Sequence, residues 1–137
     1  MVRKILLGPS SFAEANKDPL KKLKRNGFEP VLNPYKRKIT DEELKDMIDE
    51  NVVGIIAGLE NINQYTLMGS NIKVISRVGS GMSNVDVNYL NKNNIKVFST
   101  PDGPVNSVAE LTVSTIISLL RHMHPQNNQL HNKNWER

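Results

Sequence analysis

The chain has 137 residues, no cysteine, and 18 basic against 14 acidic residues, a formal charge of +4 with histidine neutral. That length fits one domain of the usual ~100–150 residues and is too short to hold a dinucleotide domain and a separate substrate domain together. An apolar share of 38% with 23% charged residues excludes wholesale disorder, and the missing cysteine excludes a disulfide framework, a thiol nucleophile and a zinc ribbon while suiting the cytoplasm.

Arg3–Leu7 reads as a strand ended by Gly8-Pro9. Its apolar core, Ile5-Leu6-Leu7, falls short of the ~7–15 residues of a secretory signal, and no later run approaches the ~20 needed to span a bilayer. No membrane partner is expected. A helix follows over Asp18–Arg25, with Asp18 as N-cap, Pro19 in the first turn and Asn26-Gly27 closing it. The basic cluster 17–25 is broken by Asp18-Pro19 and reads as a solvated helix face, so nucleic acid is not an expected partner either. Phe28–Leu32 is the second strand. Thr40-Asp41-Glu42-Glu43 is a capping box opening a helix whose apolar face is Leu44, Met47 and Ile48, ended by Glu50-Asn51.

Val52–Ala57 is an apolar strand of the kind buried on both faces. A short helix near 64–68, a strand at 72–76, a glycine loop over 77–84, a helix over 85–93 and a fifth strand at 95–99 follow. The loop 100–104 carries two prolines, a long helix covers 106–122, and the segment after Pro125 is a polar, Asn-rich tail. Five strands separated by such helices predict an α/β fold with a five-stranded, doubly wound parallel sheet of the flavodoxin type. Ligands bind such sheets beyond the carboxyl ends of the strands, which singles out the loops 8–11, 58–61, 77–84 and 100–104.

The strongest local feature is Arg77-Val78-Gly79-Ser80-Gly81-Met82-Ser83-Asn84. Its glycines let backbone amides approach an anion, Ser83 or Asn84 is placed to cap the next helix, and Arg77 adds charge-assisted donors. A tight turn holding a structural arginine fits these residues equally well. The pattern also imitates a dinucleotide fingerprint, with Asp102 some twenty residues on, but Asn84 holds the place of the third glycine, so no pyrophosphate site is read here. His122, His124 and His131 have no carboxylate cluster beside them, and no metal site is expected. Glu60 and Glu110 are the acids nearest the ligand edge; Glu110 falls in the first turns of the long helix, where a carboxylate complements the dipole. That helix is apolar nearly all round, which implies cover beyond what one small domain provides.

Lys73-Val74-Ile75-Ser76-Arg77-Val78-Gly79-Ser80-Gly81, Asn84-Val85-Asp86, Ile95-Lys96-Val97, Thr100-Pro101 and Val108-Ala109-Glu110-Leu111-Thr112, in this order, closely resemble the N-terminal part of NAD-dependent D-isomer-specific 2-hydroxyacid dehydrogenases, in the phosphoglycerate-dehydrogenase-like branch. Gly8-Pro9-Ser10-Ser11-Phe12, 54–60 and Asn134-Trp135-Glu136-Arg137 fit that branch too. The resemblance implies a substrate-binding domain over 1–104. It further implies that 105–137 is an interdomain and dimerisation helix with a polar tail, the start of an NAD-binding domain cut short, with homodimerisation through 106–122. It implies that Val78, Gly79, Ser80 and Gly81 supply amides to the carboxylate of a small 2-hydroxy or 2-oxo acid, that Arg77 matches an arginine of phosphoglycerate-type members, and that Ser80 lies near the nicotinamide. The family's catalytic arginine, glutamate and histidine have no counterpart here, so no catalytic residue is assigned and no cofactor is expected on this chain alone. Gly58 and Pro104 depart from an arginine and an asparagine that some members carry, which leaves the particular acid open. The expected function is the substrate-binding part of such a dehydrogenase, inactive alone; the alternative is a stand-alone small-carboxylate-binding or regulatory module.

Overall fold

A computed structural model of the chain describes residues 2–132, so that Asn134-Trp135-Glu136-Arg137 lie outside the described residues. The chain divides into two compact units, Met1–Pro101 and Asp102–Arg137.

In the first unit the short β-branched runs form β1 (Arg3–Leu7), β2 (Phe28–Leu32), β3 (Val52–Ala57), β4 (Val74–Arg77) and β5 (Lys96–Ser99). They pair in the order β2-β1-β3-β4-β5, every pair parallel, which is the doubly wound arrangement expected. The helices between them are α1 (Asp18–Arg25), α2 (Asp41–Met47), α3 (Gln64–Leu67) and α4 (Val87–Lys92). Leu6, Val52, Ile55 and Ala57 from the central strands are buried with Leu44 of α2, Leu67 of α3 and Leu90 of α4 in one core. Parallel strands covered on both faces read as continuous apolar runs, and β3 is the clearest case.

Several boundaries differ from the sequence reading. Lys17, not Asp18, occupies the N-cap of α1; Asp18 sits inside the first turn and pairs with Lys21 at 2.9 Å. β4 begins two residues later than expected and ends on Arg77, so the arginine belongs to the strand. α2 stops at Met47 rather than running to Glu50, because Ile48 has turned to extended backbone. α4 starts at Val87, and its cap is Asp86, whose carboxylate accepts the Tyr89 N–H at 2.9 Å; neither Ser83 nor Asn84 caps it. The cause is a parallel bridge between Ile62 and Val85 that keeps the chain extended until Asp86.

The capping box of α2 is present as expected. Thr40 Oγ1 accepts the Glu43 N–H at 3.3 Å, and Glu43 Oε2 accepts the Thr40 N–H at 2.9 Å. Arg37 forks onto the same carboxylate at 2.5 and 2.9 Å. That guanidinium, and after it the Thr40 amide, hold the Glu43 carboxyl down to about 2 from an ordinary 4.5. A lowered folded value means the contribution is complete above about pH 4.5 and is lost as the pH falls toward 2. Urea midpoints measured down that range should fall more steeply for the parent chain than for Glu43→Gln; parallel profiles would contradict the ion pair.

The second unit holds α5 (Val105–Leu120) and α6 (Met123–His131). The expected polar tail after Pro125 is thus helical as far as His131. Proline is tolerated there because it stands in the first turn, where its missing N–H has no intrahelical partner to lose. No residue of α5 is buried; Ile116 is 52% and Leu120 75% exposed. Thr112 and Thr115 return their hydroxyls to the carbonyls of Val108 and Leu111, each at 2.7 Å. With those two hydroxyls satisfied internally, the Thr positions present less polarity than their composition suggests.

Candidate substrate site

The carboxyl ends of β1, β3, β4 and β5 place four segments along one edge of the sheet: the turn from Gly8, the turn from Gly58, the glycine loop after Arg77, and Thr100. Their backbones are tied to one another. The Gly8 N–H donates to Ile56 O at 2.9 Å, and Asn33 Nδ2 donates to Gly8 O at 2.7 Å. The Val78 N–H donates to Ala57 O at 2.9 Å. The Gly79 N–H donates to Thr100 Oγ1 at 2.8 Å, and the Thr100 N–H returns to Gly79 O at 3.2 Å.

Two of the four amides singled out in the sequence, those of Val78 and Gly79, are therefore engaged within the protein. The amides of Ser80 and Gly81 meet no protein acceptor among the described residues, and both residues are exposed. Arg77 is half-buried at the end of β4. Its guanidinium lies against the Cα of Gly79: a Cβ built there would stand 2.7 Å from Nη1, and the Gly79 φ of +120° independently demands glycine. Arginine and glycine loop are thus brought together at Gly79.

Asn84 ties the loop to its neighbour. Its Nδ2 donates to Gly58 O at 3.1 Å and to Glu60 O at 2.6 Å, while Oδ1 accepts from Arg77 Nε at 3.4 Å. One carboxamide therefore links the β3 turn to the arginine, a role that neither capping nor the third-glycine place in the sequence suggests for it. Glu60, named for its place near the edge, is 1% exposed and accepts the Gly58 N–H on Oε1 at 2.8 Å. No sequence signal points to these contacts, because the partners of Asn84 are 24 and 26 residues away.

The loop does not fit a dinucleotide pyrophosphate. Asn84 fills the third-glycine position with a side chain committed to the β3 turn, and α4 opens on the carboxylate of Asp86, which repels an anion. Among the described residues no group of histidine, aspartate and glutamate side chains is placed to hold a metal ion. His124 and His131 contact Asn128 and Asn127 on their own helix. No helix of the described residues is long and apolar enough to cross a membrane.

The model of the D-isomer specific 2-hydroxyacid dehydrogenase catalytic domain matches residues 10–130. A hydroxypyruvate reductase from Thermotoga maritima is 29% identical over 126 residues, which cover 88% of this chain and 40% of that protein. Among solved structures, the TT0316 protein from Thermus thermophilus superposes with a TM-score of 0.83 at 20% identity, over 98% of this chain and 42% of its own, a likeness of fold. An NAD+-bound 3-phosphoglycerate dehydrogenase from Entamoeba histolytica superposes with a TM-score of 0.67 at 26% identity, over 86% of this chain and 39% of its own. The chain spans about two fifths of the length of these relatives.

Proposed function

This chain belongs to the D-isomer specific 2-hydroxyacid dehydrogenase family, and on that footing we propose that it is the substrate-binding part of such an oxidoreductase, holding a small 2-hydroxy or 2-oxo acid by its carboxylate. The observation that carries this reading is the Arg77 guanidinium packed on Gly79, in a loop whose next two amides, those of Ser80 and Gly81, have no protein acceptor among the described residues, at the carboxyl edge of the parallel sheet. A guanidinium presents parallel N–H donors that match a carboxylate, and the two amides add a second anchor that fixes its plane. The work of this chain is to bind and orient the acid so that C2 faces outward from the sheet edge.

The nicotinamide cofactor, which supplies hydride exchange with C2 when bound, belongs to a separate dinucleotide unit of which residues 105–137 form the start. Ser80 is the residue of the first unit that would adjoin the nicotinamide were that dinucleotide unit and its cofactor present. The unit containing the cradle has no histidine, and its glycine loop does not fit a pyrophosphate. The chain by itself therefore binds without turnover. NADH with hydroxypyruvate, glyoxylate or 2-oxoglutarate should show no oxidation above the blank; measurable turnover would overturn this part of the reading. Calorimetric titration with glyoxylate tests the cradle. Hydrogen bonds to a charged group contribute ~1.5–3 kcal/mol, so Arg77→Ala should weaken binding by ~10–100-fold. An unchanged affinity would remove Arg77 from the site.

The apolar surface of α5 is assigned to self-association, as a two-fold dimer in which the helix of one copy meets that of another.

A further inference from the structure

We propose that Asn84 is a positioning residue for the carboxylate cradle: it takes the Nε–H of Arg77 and leaves the two Nη groups, the end-on edge of the guanidinium, to the substrate. This rests on the cradle of the preceding section. Asn84 Oδ1 accepts from Arg77 Nε at 3.4 Å, while Nδ2 donates to Gly58 O at 3.1 Å and to Glu60 O at 2.6 Å. Two carbonyls on one side and a cationic donor on the other admit one orientation of the carboxamide. The flipped amide would set its N–H groups against the guanidinium and its oxygen against two oxygens. The backbone is fixed as well. The Ile62 N–H donates to Asn84 O at 2.8 Å, within the bridge that joins Ile62 to Val85.

A guanidinium can offer a carboxylate either its Nη pair or the side that carries Nε, and a long side chain must be ordered before it offers either. In this loop the Nε side is taken by Asn84, and Nη1 packs on Gly79, where a Cβ would stand 2.7 Å away. Among the described residues Arg77 has no ion-pair partner, and neither Nη group has a protein acceptor. The head is thus held at one corner and open at the other two. Ordering it before the ligand arrives removes part of the cost of binding. Asn84 draws that order from the β3 turn, 24 and 26 residues upstream, and acts on the ligand through Arg77.

The test is a double-mutant cycle read by calorimetric titration with glyoxylate, each variant kept below its melting temperature. Asn84→Ala should weaken binding by ~3–10-fold, the cost of leaving one long side chain for the ligand to order. In an Arg77→Ala background the same substitution should add no more than ~2-fold, because Asn84 then has nothing to position. Were Asn84 only a support of the β3 turn, the two losses would multiply; that result would overturn the inference while leaving the cradle intact. Unchanged affinity in Asn84→Ala would overturn it as well. A parent that does not bind glyoxylate, or an Arg77→Ala chain that binds it as the parent does, would overturn the cradle and this inference with it. Where Asn84→Ala does not fold, NMR exchange on the parent decides. The Arg77 Nε–H, identified by its loss in Arg77→Ala, should exchange with water at least ~3-fold more slowly than that of the exposed Arg25, with or without glyoxylate. Equal exchange rates would overturn the role of Asn84.

Discussion

Replacing Gly8 with alanine is expected to lower the stability of the first unit by ~3 kcal/mol, the upper part of the range for overpacking a tight site. For a unit of this size that is a fall in melting temperature of roughly 12–24 °C. The added methyl would overlap Glu60 Oε1. Glu60 has no open space to retreat into, being 1% exposed and bonded to the Gly58 amide. The backbone of Gly8 cannot yield either, because its N–H is held by Ile56 and its carbonyl by Asn33. One of these bonds must break, leaving a polar group buried without a partner. Gly81→Ala is the control: a Cβ there meets nothing within 4 Å, so its melting curve should shift by no more than ~0.5 kcal/mol. A Gly8→Ala chain that melts with the parent would show that the Glu60 carboxylate does not lie under this turn.

The double variant Ile116→Asp, Leu120→Asp should convert a dimer into a monomer. The two positions lie one turn apart on the same face of α5. Buried without a partner, each aspartate costs ~3–5 kcal/mol, so dissociation should be tightened against by well over 100-fold in the parent relative to the variant. Sedimentation at tens of micromolar should give a dimer for the parent and a monomer for the variant. From the sequence alone this substitution reads equally as dissociating or unfolding. Melting curves separate the two outcomes: loss of the dimer with the parent's melting curve marks dissociation, and a lowered one marks unfolding. A monomeric parent at that concentration would refute self-association through this helix.

What the sequence makes legible is local. Thr40 and Glu43 are three residues apart and satisfy one another, so their motif identifies the start of α2 without any tertiary knowledge. The strands are equally plain, because an apolar run such as 52–57 has no other stable place than the middle of a covered sheet. The arrangement of the site is not local. Ser83, Asn84 and Asp86 are all good capping types, and the choice among them is made by the bridge from Ile62, more than twenty residues upstream. The same bridge frees Asn84 to reach the Gly58 turn. The helix α6 is hidden for a different reason: proline among asparagines argues against helix by propensity, and only its position in the first turn makes it harmless.

The strand order has a consequence for how the chain is made. β1 is synthesised first but needs neighbours on both sides, and the second of them, β3, begins at Val52, well after β2 ends at Leu32. At ~5–20 residues per second, ribosomal synthesis leaves one side of β1 unpaired for roughly 1–4 s, with Ile5, Leu6 and Leu7 available to any other strand edge. Arg3 and Lys4 stand immediately before that apolar run, where charges act as gatekeepers against edge-to-edge pairing. Lys4 later binds Asp49 at 2.6 Å, just ahead of β3. The charge that guards the nascent edge is thus neutralised by the segment that delivers its missing partner.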